Sequence, residues 1–170
     1  MERNLKYKNS LTKVLYLTTI FITSIFFSFS SLAAGGGSDD KKKVTVKSSE
    51  YYKAVKLIKE KSYDAAIQNL LKAEKNNKTD ADIYNYLGFS YRKTGNLEKA
   101  SQYYNKALEI SPKHKGALEY QGEMFLTQGN LKKAQENLKK LQKICFLGCE
   151  EEKMLKESIM KYNKGQKSSY

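Results

Sequence analysis

Two cysteines near the C-terminus are the residues of this 170-residue sequence with the most distinctive chemistry. Cys145 and Cys149 stand in the segment CFLGCE. Four residues of separation in a helix place Cα atoms about 6 Å apart, which a disulfide can bridge, and Gly148 supplies a bend that could turn the two Cβ atoms together. Thioredoxin-like redox pairs have a two-residue spacing instead. We therefore expect a disulfide, with a redox dithiol or two buried free thiols as the alternatives.

Other candidates for catalysis or metal binding are sparse. His114 is the single histidine of the sequence, and we interpret it as a surface residue of a turn. One histidine and two cysteines are too few for a zinc site or a histidine-based triad. The acidic run Glu150–Glu152 is typical of a helix N-terminus, where negative charge offsets the helix dipole. We expect a protein that is not an enzyme and has no metal or cofactor.

The charge balance argues against nucleic-acid recognition. The sequence has 31 Lys and Arg against 18 Asp and Glu, a formal net charge of +13, but Arg3 and Arg92 are its two arginines. The guanidinium fork that reads guanine edges and grips phosphate is therefore scarce. Lysines scattered among acids are typical of a solvated surface. We expect no nucleic-acid partner.

Residues 1–33 have the layout of a secretory signal peptide. A basic start precedes the apolar run from Val14 to Leu32, and small residues at Ser31 and Ala33 favour cleavage that leaves Ala34 first. An uncleaved anchor facing the periplasm is the alternative, with membrane contact through residues 14–32 alone. Both outcomes predict an exported, periplasmic domain, where disulfides persist. Residues 34–47, with their glycine and lysine triplets, read as a flexible linker.

A period of 34 residues organises the rest of the chain. The segment from Ala81 has small or aromatic residues at fixed positions, namely Tyr84, Leu87, Gly88, Tyr91, Gly95, Ala100, Tyr104, Ala107 and Pro112. Shifting forward by 34 gives Leu118, Gly122, Phe125, Gly129, Ala134 and Leu138; shifting backward gives Ala54, Leu57, Ala66, Leu70 and Ala73, with Lys61 replacing the turn glycine. This pattern resembles the tetratricopeptide repeat (TPR) family.

The spacings also have a physical reading. Gly88 and Ala100 are small where two antiparallel helices cross, and tyrosines fill the space around that contact. Gly95 favours a left-handed helix end, and Pro112 ends the second helix. The predicted fold is all-α, a right-handed TPR solenoid of three helical hairpins plus a C-terminal capping helix. Its domain covers 48–164, with repeats at about 47–80, 81–114 and 115–148, a cap at 150–164 and a tail at 165–170.

The resemblance implies a protein-binding role, because TPR proteins usually bind peptides on the concave face lined by the first helix of each hairpin. Inward positions 5, 9 and 12 predict a peptide-binding groove of nine residues: Tyr51, Val55, Ile58, Asn85, Phe89, Arg92, Glu119, Glu123 and Leu126. Tyr51 and Val55 depart from the Lys and Asn with which one TPR subfamily clamps a C-terminal carboxylate. Packing between neighbouring first helices is an alternative role for Tyr51, Val55 and Phe89.

The sequence is compatible with three alternative functions. The first is an exported, non-enzymatic adaptor or scaffold that holds a protein or peptide segment, with Phe89 and Tyr51 as apolar anchors and with Glu119 and Glu123 selecting a basic partner. The second is an envelope-associated assembly factor whose lysine-rich outer face lies on anionic surfaces. The third is a thiol-redox accessory protein, which requires Cys145 and Cys149 to cycle.

Overall fold

The computed structural model describes residues 46–166. The predicted signal peptide, nearly all of the predicted linker and the last four residues lie outside that part. Within it, seven helices follow one another: α1 (Ser49–Lys59), α2 (Tyr63–Asn76), α3 (Ala81–Lys93), α4 (Leu97–Ile110), α5 (Lys115–Thr127), α6 (Leu131–Ile144) and α7 (Glu150–Asn163). Across residues 46–166, no helix is both long enough and apolar enough to span a membrane.

The helices form three hairpins and a cap, which confirms the predicted all-α fold. Each hairpin pairs consecutive helices, and α7 contacts both helices of the third hairpin. Side chains buried between the helices include Leu70, Leu87, Tyr104, Leu118, Leu141 and Leu155.

Helix starts follow from short polar side chains at the N-caps. Asp80 Oδ1 accepts a hydrogen bond from the Asp82 amide at 3.0 Å, and Asn96 Oδ1 accepts one from the Lys99 amide at 3.0 Å. Asn130 repeats this arrangement for α6. These bonds satisfy amides that have no partner inside their own helix, so these side chains mark where α3, α4 and α6 begin.

The first helix of each repeat, and the cap, end with the same pair of backbone hydrogen bonds. In α3 the Asn96 amide donates to the Tyr91 carbonyl at 2.9 Å and the Gly95 amide donates to the Arg92 carbonyl at 3.1 Å. Such an end requires a residue with positive φ, which is Gly95 in α3 (φ 85°). In α1 the same position is held by Lys61, with φ 58°.

The small residues at the helix crossings face different neighbours from those expected. A Cβ built on Gly88 would lie 2.6 Å from Cδ1 of Tyr104, so the tyrosine ring occupies the space that Gly88 leaves open. Ala100, which the repeat pattern predicts at this contact, is also fully buried. At the matching position of the third repeat, a Cβ on Gly122 would meet the δ-methyls of Leu155 in α7.

The two cysteines flank the connection between the third hairpin and the cap. Cys145 follows the end of α6 and Cys149 is the N-cap of α7. Their Cα atoms lie 5.6 Å apart and their sulfur atoms are in bonding contact. The oxidation state of the pair in the cell stays a prediction.

Candidate functional site

The structure buries six of the nine predicted groove residues. Val55, Ile58 and Phe89 keep part of their surface exposed, whereas Tyr51, Asn85, Arg92, Glu119, Glu123 and Leu126 are buried. The physical reason is side-by-side packing of the first helices, which the 34-residue pattern does not show. Tyr51, for example, lies in the core with its ring centroid 5.9 Å from that of Tyr86 on α3. The burial of Tyr51 favours the packing role given above as the alternative to an anchor.

Glu119 and Glu123, which were predicted to select a basic partner, are not exposed in the groove. Both carboxyl groups are buried, and Arg92 is buried near them. Burial, together with the adjacent Glu123, raises the pKa of Glu119 to about 8, while Arg92 opposes the change. A carboxyl group with that pKa is mostly protonated at neutral pH. Glu119 is therefore poorly suited to select a basic partner.

Three half-buried aromatic rings form a continuous line across the three repeats, which we call the aromatic row: Tyr63, Phe89 and Tyr120. The ring centroid of Phe89 lies 4.9 Å from that of Tyr120 and 6.1 Å from that of Tyr63. These separations are within the range in which aromatic rings attract one another. The row joins α2, α3 and α5 and leaves ring surface accessible in each repeat.

Cationic side chains border the aromatic row. Lys93 Nζ lies 5.7 Å from the Phe89 ring centroid and 6.0 Å from that of Tyr63, both within cation–π distance. Arg92 lies over Phe89 at 5.6 Å, and within residues 46–166 its Nε and Nη2 atoms have no hydrogen-bond acceptor. Burial lowers the pKa of Lys93, as do the nearby cations Arg92 and Lys61, while Glu123 opposes them. The border is thus cationic, and Lys93 is its accessible donor, because the unpaired Arg92 atoms are buried.

An open depression of about 570 Å³ adjoins one end of the aromatic row. Its walls are Lys61, Ser62, Tyr63, Asp64, Ala65, Lys93 and Thr94. Tyr63 and Lys93 belong to both features, so the depression continues the row into the turn regions of the first two repeats. The 34-residue pattern identified Phe89 but not Tyr63, Tyr120 or Lys93. The i,i+4 spacing of Phe89 and Lys93 was a signal that could have identified the last of these.

His114 links two repeats by hydrogen bonds and is not a surface residue. Its Nδ1 accepts a hydrogen bond from the Ala117 amide at 3.1 Å, which caps α5. The other ring nitrogen, Nε2, therefore carries the proton and donates to Asp82 Oδ1 at 2.8 Å. The expectation of a surface residue was wrong because Asp82 lies 32 residues away along the chain, beyond the reach of a local pattern.

Asp82 is the centre of a small charged cluster at this edge. Besides His114 it contacts Lys47, which also bonds Asp80 at 2.7 Å. The hydrogen bond from His114 and the nearby Lys47 hold the pKa of Asp82 well below its ordinary value. Among residues 46–166 no group of three His, Cys, Asp or Glu is arranged to hold a metal ion. This cluster joins the segment before α1 to the N-terminal ends of α3 and α5.

Comparison with known proteins identifies one repeat and similar folds. Residues 81–114 match the tetratricopeptide repeat family model. A search of curated proteins gave no match. Seventy-one solved chains match the structure, three of which illustrate the likeness.

The first TPR domain of Spaghetti (RPAP3), bound to the HSP90 peptide SRMEEVD, is 16% identical with a TM-score of 0.60; the match covers 68% of this chain and 89% of that one. The Yersinia enterocolitica chaperone SycD, in complex with a peptide of the translocator YopD, is 18% identical with a TM-score of 0.58, covering 68% and 88%. MamA is 27% identical with a TM-score of 0.52, covering 56% of each chain. Together with the three-hairpin structure, these likenesses show that the chain has the fold of TPR domains, and residues 81–114 match the tetratricopeptide repeat itself.

Proposed function

We propose that this protein is an exported, non-enzymatic TPR adaptor that holds a segment of another protein against the aromatic row. The observation that carries the proposal is the row itself, which offers accessible ring surface in three successive repeats. Aromatic side chains supply much of the binding energy at protein interfaces. The peptide complexes of RPAP3 and SycD support the proposal, because each has a related fold and binds a peptide.

The site geometry favours a partner segment different from the basic one suggested by the sequence. Glu119 and Glu123 are buried, whereas Lys93 and Lys61 border the accessible part of the site. We therefore propose that the bound segment places an apolar side chain on Phe89 and Tyr63, and carboxylates or carbonyl groups toward the two lysines. Attraction of opposite charges would orient the segment along the row.

The proposal is tested by capture of envelope proteins with matched variants. Phe89→Ala should weaken binding by about 1–3 kcal/mol, or roughly 5- to 150-fold, if the ring is a binding hot spot. Lys99→Gln is the control, because Lys99 Nζ lies 5.0 Å over the Tyr91 ring in a similar pair outside the proposed site. Quantitative mass spectrometry should find a set of proteins retained by wild type and Lys99→Gln but lost with Phe89→Ala.

Circular dichroism separates binding from folding in this comparison. If Phe89→Ala keeps its helicity and captures the same proteins as wild type, the aromatic row is not the binding site. Loss of helicity would instead assign Phe89 to packing, and Lys93→Gln then tests the site without removing a ring.

Export to the periplasm is the second part of the proposal. It is supported by the signal-peptide layout of residues 1–33, which predicts a mature chain that begins at Ala34. N-terminal sequencing and intact-mass measurement of the protein from fractionated cells would detect that start. A full-length chain in the membrane fraction would support the anchor alternative instead.

A further inference from the structure

A short loop after the third hairpin presents two large apolar side chains to solvent. Phe146 and Leu147 are each 92% exposed, in the connection between α6 and α7. Surface turns are usually built from glycine and small polar residues, because it is unfavourable to expose large apolar side chains to water. Phe146 and Leu147 are also not needed to cover the end of the third hairpin, because Leu155 of α7 packs against Gly122 there. The loop therefore has apolar surface that the fold itself does not use.

The ends of this loop are held together. Cys145 and Cys149 bracket it, with their Cα atoms 5.6 Å apart and their sulfur atoms in bonding contact. Gly148, with φ 82°, makes the turn back toward Cys149. A disulfide between these cysteines would close a short loop and restrict the conformations of Phe146 and Leu147, which are exposed in the structure. Such pre-organisation lowers the entropic cost of binding.

The loop extends from a strongly basic helix. Helix α6 carries five exposed lysines, Lys132, Lys133, Lys139, Lys140 and Lys143, against one acidic residue, Glu136. On the other side of the loop, Glu150, Glu151 and Glu152 occupy the first turn of α7, where the helix dipole offsets part of their charge. The apolar tip is therefore combined with an excess of positive charge on the helix that leads to it.

We propose that the Phe146–Leu147 loop is a membrane-docking site that inserts into the interface of an anionic lipid bilayer. Apolar side chains at such sites enter the headgroup and acyl boundary to a depth of about 5–10 Å. Lysines near an anionic surface each strengthen binding roughly fivefold, which gives α6 its role. The aromatic row contributes nothing to this site, so membrane docking and peptide binding are separable functions.

A local fluorescence reporter tests this proposal in the full chain. The sequence contains no tryptophan, so Phe146→Trp introduces a single one at the loop tip. A local probe is required because residues 14–32 could themselves bind lipid in the full chain. The control is Tyr52→Trp on α1, a residue that is 60% exposed and lies outside the loop. Vesicles of phosphatidylglycerol and phosphatidylethanolamine are compared with vesicles of phosphatidylcholine, with and without brominated acyl chains.

We expect the emission of the Phe146→Trp protein to shift to the blue with anionic vesicles and to be quenched by the brominated lipid. The Tyr52→Trp protein should show neither change. Adding Leu147→Ser to the Phe146→Trp protein should weaken vesicle binding, measured by the emission of the introduced tryptophan, by about tenfold or more. Adding Lys143→Gln instead should weaken it by roughly fivefold.

Three results would overturn the proposal. Emission that stays unshifted with both vesicle types would show that the loop does not enter a bilayer. An equal shift with both vesicle types would remove the selection for anionic lipid. A blue shift that grows with protein concentration in the absence of vesicles would assign the loop to contact between copies of this chain.

Discussion

At the scale of single residues, equivalent positions of the repeat meet different surroundings. Gly88 and Gly122 both stand at position 8, within the first helix of their hairpins. The space beside Gly88 is filled by the rigid Tyr104 ring, and the space beside Gly122 by the flexible end of Leu155. A ring that is fully buried cannot turn aside, whereas δ-methyl groups can change rotamer.

We therefore predict that Gly88→Ala destabilises the protein more than Gly122→Ala does. Both changes gain the same helix propensity, so the difference reports the contact alone. Overpacking against Tyr104 should cost Gly88→Ala about 1–3 kcal/mol beyond its partner variant. Urea unfolding of both variants would measure this. Equal midpoints would contradict the assignment of Tyr104 as the rigid neighbour.

At the scale of the helix, the hydrogen bonds that end the first helix of each repeat show why Lys61, in the position that glycine holds in the later repeats, should reduce stability. In α1 the Ser62 amide donates to the Leu57 carbonyl at 2.8 Å and the Lys61 amide to the Ile58 carbonyl at 3.0 Å, as in the later repeats. Lys61 must adopt positive φ to make these bonds. That conformation costs a residue with a Cβ about 1–2 kcal/mol, which glycine avoids.

Lys61→Gly should accordingly stabilise the protein by about 0.5–1 kcal/mol. This is the free energy of the relieved backbone strain minus the cost of the greater conformational entropy that glycine gives the unfolded chain. The matched control is Lys53→Gly, an exposed position inside α1, which should destabilise by about 1 kcal/mol. Thermal melts of the two variants should shift in opposite directions. A lower melting temperature for both would mean that Lys61 makes contacts that outweigh its strained backbone.

The helices could be predicted from the sequence because the residues that begin and end them act locally. Turn glycines, Pro112 and small crossing residues act locally, so a 34-residue period is enough to place the six helices of the hairpins, and the acidic run Glu150–Glu152 marks the start of the cap. The helix face on which a side chain lies, as for Phe89, also follows from the local spacing. The exposed fraction of a side chain is not set locally, because it depends on which side chains of other repeats pack against it. For that reason the burial of Glu119 and Tyr51, and the pairing of His114 with Asp82, could not be predicted.

At the scale of the whole molecule, two carboxyl groups give stability opposite dependences on pH. The pKa of Glu119 is raised from 4.5 to about 8, so the folded protein holds a proton that the unfolded chain loses. Stability should therefore fall as pH rises from about 4.5 to 8. The pKa of Asp82 is lowered from 3.8, so its contribution is lost as pH falls below that value.

Glu119→Gln should remove the decline between pH 4.5 and 8, because a neutral amide has no proton to lose. A difference of one in pKa between the folded and unfolded states corresponds to about 1.4 kcal/mol, so the gain at pH 8 should be on the order of a few kcal/mol. Glu136→Gln, at an exposed position on α6, is the control and should leave the profile as in wild type. Denaturant titrations across this pH range would measure both. A decline that persists in Glu119→Gln would assign it to another group.

The cap has a consequence for how such an array can lengthen. Leu155 of α7 occupies the hollow beside Gly122, and α7 lies against both helices of the third hairpin. A further hairpin added after α7 would find this end already occupied. Duplication of a repeat, in evolution or in protein engineering, would therefore succeed upstream of Cys145, where the new hairpin inherits the cap. The cap thereby sets the direction in which the scaffold can grow.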